Sequence, residues 1–107
     1  MTRDTLPDDF FDRLSPKKEA LLQVLLDAEG DWVRGVDIRE RMRQEYGLSV
    51  PHHPGAIAVH LGHYTQWYSE EFRRDVIPGR WVDNSRTHAE FKIGEKYEDE
   101  LREWFGK

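Results

Sequence analysis

The chain has 107 residues, 37% of them hydrophobic and 35% charged, a formal net charge of -5, and no cysteine. That length allows one domain with one modest core, and the absence of cysteine excludes a disulfide framework or a thiolate zinc site, as suits a cytoplasmic protein. Four Trp, five Phe and four Tyr argue against disorder, because side chains of that size offset chain entropy when they are buried.

In chain order, residues 1–14 read as an N-terminal extension that packs on the body, with Phe10, Phe11 and Leu14 set among acids. Acids stand where a signal peptide has its basic end, and no apolar run is long enough to span a bilayer. Residues 15–107 read as one domain. "SPKKEALLQVLLDAEG" has a capping serine, Pro16 at the first helical position and Gly30 as a left-handed exit, which predicts a first helix over Pro16 to Glu29. Its apolar residues cover more than one face, so it is contacted on two sides.

Trp32 and Val33 make a short extended segment before a second helix with Val36, Ile38, Met42 and Tyr46 as apolar positions, ended by Gly47. The connection "LSVPHHP" contains two prolines and forbids a continuous helix. "GAIAVHLGHYTQWYSEEF" then reads as a third helix from Gly55 to Phe72, with Ile57, Leu61, Tyr64 and Tyr68 facing inward and Val59, Gly62, His63 and Gln66 facing outward. "RWVDNSRTHAEFKI" reads as a hairpin with its turn at Asn84 to Thr87. Tyr97, Leu101, Trp104 and Phe105 form the apolar stripe of a last helix.

The order helix, short strand, helix, helix, hairpin, helix resembles the winged helix-turn-helix superfamily. The residues that carry the likeness are "DWVRGVDIRERM", "PGAIAVHLGHYTQWY" and "GRWVDNSRTHAEFKI". The resemblance implies a mostly α fold with a small β-hairpin: a three-helix core, a two- or three-stranded wing and a C-terminal helix. It also implies a recognition helix in the major groove of double-stranded DNA, a wing tip near the minor groove or backbone, and often a dimer formed through a terminal helix. A small transcriptional regulator is the expected role.

His63 and Gln66 are the base-reading candidates, since Gln pairs well with adenine. No Lys or Arg occurs between Arg43 and Arg73, so phosphate contacts fall to Arg39 and Arg43 before that helix and to Arg73, Arg74, Arg80 and Arg86 after it. From Arg34 to Lys92 there are nine Lys or Arg against eight Asp or Glu, and seven against thirteen elsewhere, so the acid is concentrated at the ends of the chain. The competing account is that these arginines pair with neighbouring carboxylates as an ordinary solvated surface.

His60, His63 and Trp67 form a second stripe that reads either as an exposed anchor for a protein partner or as packing beneath the connection at Val50 or Pro51. The fold would then be a protein-interaction module that binds no DNA. The histidines at i, i+3 spacing invite a metal reading, but no ligand set accompanies them, and neither a metal nor a cofactor is expected. No motif of nucleophilic, phosphate-loop or metallohydrolase chemistry occurs, so the protein reads as a non-enzyme. Phe10, Phe11, Trp104 and Phe105 exceed what one small core requires and predict a homodimer interface.

Overall fold

The computed structural model describes residues 5–53, 55–82 and 88–107. A 3-10 turn at Phe11–Arg13 leads into α1 (Pro16–Asp27), β1 (Val33–Arg34), α2 (Gly35–Tyr46), α3 (Gly55–Trp67), α4 (Glu70–Val76), β2 (Gly79–Trp81), β3 (Ala89–Phe91) and α5 (Glu98–Phe105). The architecture is mostly helical with a small antiparallel sheet of three strands in the order β1-β3-β2.

Each element follows from local chemistry. The Ser15 hydroxyl accepts the Lys18 N–H at 3.3 Å and so caps α1, and the chain leaves that helix through Glu29 and Gly30 at φ 54° and 88°. Leu21, Leu22, Val24, Leu25 and Leu26 are all buried, because α1 is contacted by both α2 and α5. Each such side chain contributes about 1.5 to 3 kcal/mol by leaving water. The two residues of β1 pair with the middle strand, Val33 opposite Phe91 and Arg34 opposite Glu90, and β2 pairs on its other edge. This seats the sheet beside the start of α2. Gly94, just past β3, donates its N–H to the Val76 carbonyl at 2.8 Å, and a Cβ there would overlap the Asp75 carbonyl oxygen. Only glycine allows the sheet exit to lie against α4.

The third predicted helix is in fact two. The chain breaks at Ser69, whose backbone is extended and whose hydroxyl accepts the Phe72 N–H at 3.0 Å, starting α4. Serine competes with helical pairing through this local bond. The break turns Phe72 into a cluster with Phe10 at 5.8 Å, Tyr97 at 5.6 Å and Tyr64 at 6.3 Å between ring centroids.

The same cluster holds Phe10, one of the four residues expected at a dimer interface, fully buried within its own chain. Phe11 and Phe105 are partly buried against the core. Trp104, 58% exposed, stacks on Phe11 at 4.1 Å with an interplanar angle of 14°. The N-terminal segment is held by Leu6, whose N–H donates to the Glu100 carboxylate at 2.9 Å, and by the Tyr68 hydroxyl, which donates to Asp9 at 2.8 Å.

Candidate functional site

Helix α3 presents two faces. Ile57, Leu61 and Tyr64 are buried, whereas Ala58, Val59, Gly62, Thr65 and Gln66 are exposed. Tyr68, predicted on the buried face, lies just past the end of α3 and is half-buried. The outward arc carries no charge. Val59 is 50% exposed, and Gln66 makes no hydrogen bond to the described residues.

Beside this arc runs a cleft of about 840 Å³, bounded by α3, the start of α2, the start of α4 and the sheet. Gly35 lies at its base: a Cβ there would stand 3.6 Å from both Ile57 Cδ1 and the Ala89 carbonyl oxygen, and 3.5 Å from Arg39 Nη1. Val36 and Trp81, both exposed, contribute apolar walls. Four arginines line the cleft, Arg34, Arg39, Arg73 and Arg80, and among the described residues no Asp or Glu does. Arg80 is ion-paired with Glu90 and lies over the Trp32 ring at 4.1 Å. Arg73 is 3.8 Å from Glu70. Arg34 and Arg39 form no ion pair among the described residues. A concave surface of one sign with apolar walls concentrates its field and attracts anions.

Of the predicted phosphate contacts, Arg39, Arg73 and Arg80 therefore converge on one cleft. Arg43 does not; it donates to the Val50 carbonyl at 3.1 Å and pins the connection to α2. Arg74 is exposed and paired with Glu70 at 2.9 Å. Arg86 lies outside the described residues. Arg34 is not among the residues predicted from sequence, although its position next to Gly35, where strand passes directly into helix, is a usable signal. Nor is Trp81 predicted as a cleft wall.

His60 belongs to the stripe read either as an exposed anchor or as packing, and it is packed: it is 7% exposed and faces Lys18, itself only 4% exposed. Lys18 Nζ donates to His60 Nδ1 at 3.1 Å and to His63 Nδ1 at 2.8 Å. Both rings therefore accept at Nδ1 and carry their proton on Nε2. Burial, reinforced by the Lys18 charge, pushes His60 down to about 4. The same causes lower His63, and burial lowers Lys18.

Trp67 is half-buried and closes the cluster. It stacks on His63 at 5.5 Å, with Lys18 Nζ at 5.1 Å and the Arg13 guanidinium at 5.3 Å from its ring. The Lys18 and Arg13 contacts come from α1 and the N-terminal turn. An ammonium occupies the point where the two imidazoles converge, and among the described residues no three His, Asp or Glu side chains assemble as a metal site.

No protein-family model, curated protein or solved structure matches the chain. Among the described residues no helix is long and apolar enough to cross a membrane.

Proposed function

We propose that the protein is a winged-helix domain that binds double-stranded DNA, acting as a small cytoplasmic transcriptional regulator. The element order, with β2 and β3 closing a sheet on β1 beside α2, supports the fold assignment. The observation that carries the function is the cleft lined by Arg34, Arg39, Arg73 and Arg80 with no acid among its described lining residues. In this reading the uncharged arc of α3 lies in the major groove, and one sugar-phosphate strand follows the cleft between α3 and the sheet. The missing cations of the recognition helix are supplied by the elements on either side.

The test is a fluorescence-anisotropy titration with random-sequence duplex across roughly 50 to 200 mM salt. Four phosphate contacts give a slope of log affinity on log salt of about -3 to -4. Arg39→Ala reduces the magnitude of that slope by about 1 and weakens binding to all sequences alike. Absence of binding at the low-salt end overturns the proposal.

The Phe11–Trp104 stack favours a second reading, a protein-interaction module of the same fold, because a Trp held rigid at the surface is a good partner anchor. Failure of the duplex titration, together with self-association in sedimentation that Trp104→Ala abolishes, would select it.

A further inference from the structure

The exposed face of α3 has a composition that bears on which base pairs it meets; the inference rests on the duplex-binding reading above. The commonest side-chain signal for guanine is an Arg or Lys directed at its O6 and N7, and α3 has neither. It presents instead the apolar side chains of Ala58 and Val59, together with Thr65, whose hydroxyl donates to the Leu61 carbonyl at 3.4 Å and so leaves its methyl as the remaining group. In the major groove the apolar feature of a base edge is the thymine C5 methyl, and a glutamine amide matches adenine N6 and N7. Gln66 is exposed, with its amide uncommitted among the described residues.

Gly62 gives a second, independent indication. It lies in the middle of α3, where glycine weakens a helix by about 1 kcal/mol relative to alanine. Among the described residues no atom lies within 4 Å of the position its Cβ would take, and its φ is not in the left-handed region. Neither internal packing nor backbone conformation calls for glycine there. Close approach of an external surface to the helix does.

We propose that α3 reads A·T base pairs, with Val59, Ala58 and Thr65 against thymine methyls, Gln66 on adenine, and Gly62 admitting the base edges to the helix backbone. Val59 and Gln66 are seven residues apart, about 10.5 Å along the helix, which corresponds to about three base-pair steps at roughly 3.4 Å each.

The experiment uses the full chain and three duplexes of equal length: A·T-rich, the same sequence with deoxyuridine replacing thymidine, and G·C-rich. The expected result is about tenfold tighter binding to the A·T-rich duplex than to the G·C-rich one, with most of that preference lost in the deoxyuridine duplex and the salt slope unchanged. Val59→Ser, at an exposed position, reduces the difference between the thymidine and deoxyuridine duplexes, and Gln66→Ala lowers the A·T preference in both. Equal binding to the thymidine and deoxyuridine duplexes overturns the methyl reading; an A·T preference that persists there and is not lowered by Gln66→Ala belongs to groove shape. Binding to all three duplexes without discrimination overturns the inference and leaves the duplex-binding function standing, whereas binding to none overturns both.

Discussion

Acidification should destabilise this protein in a window set chiefly by His60, with His63 acting in the same direction. His60 is buried on α3 against Lys18, with His63 and Lys17 as the other cationic or titratable groups acting on it, and these hold its imidazole at about 4 against an ordinary value of 6.5. A depressed value means that the unfolded chain binds the proton more readily than the folded one. The stabilising contribution is therefore complete above pH 6.5 and is lost as the pH falls through about 4. At 1.36 kcal/mol per pH unit of difference, the full loss is about 3 kcal/mol. Linkage gives a loss of roughly 1 kcal/mol at pH 5.5 and roughly 2 to 3 kcal/mol at pH 4.5. For a domain of this size the full loss lowers the melting temperature by roughly 10 to 20 °C. Urea unfolding at pH 7.5, 5.5 and 4.5 measures the loss directly. His60→Gln keeps an acceptor for the Lys18 ammonium while removing the titration, so the variant should retain most of its stability down to about pH 4.5. The carboxyl of Asp9, lowered by its bonds to Tyr68 and Arg13, loses its contribution only in more acidic solution, which separates the two effects. Parallel curves for the parent protein and His60→Gln between pH 6.5 and 4.5 would refute the assignment.

Two further substitutions test the packing that supports the site. The Tyr64 hydroxyl is buried with no hydrogen-bond partner among the described residues. Tyr64→Phe should therefore leave stability unchanged or raise it by about 1 kcal/mol, and a measured loss larger than that would show that the hydroxyl is satisfied in solution. Gly94→Ala should cost about 3 kcal/mol or more, because the added methyl overlaps the Asp75 backbone carbonyl, which no side-chain rotation can relieve. A variant within about 1 kcal/mol of the parent in denaturant unfolding would mean that the sheet exit and α4 are not in direct backbone contact.

Features governed by neighbouring residues are legible in the sequence alone. Ser15, Pro16 and Gly30 delimit α1 because capping and left-handed exits act within one turn. The spacing of Ile57, Leu61 and Tyr64 orients α3 because a helix repeats its faces every 3.6 residues. Val59, Gly62 and Gln66 follow outward by the same rule. The break at Ser69 is ambiguous at that level, since Tyr64, Tyr68 and Phe72 continue a helical period while the serine hydroxyl can also stop it. Packing of Phe72 against Phe10 and Tyr97, from opposite ends of the chain, accompanies the second choice. His60 lies at the flank of the buried arc by periodicity, which leaves its burial open, and its contact with Lys18, 42 residues earlier, decides it. Arg34, Arg39, Arg73 and Arg80 are ordinary surface charges in the sequence and become one cleft only when the sheet closes beside α2 and α3. Periodicity and capping are short-range and belong to the sequence alone. The convergence of distant charges, the burial of a lysine between two imidazoles and the withdrawal of Phe10 from the surface depend on contacts between segments tens of residues apart, which the tertiary fold brings together as apolar surface leaves water.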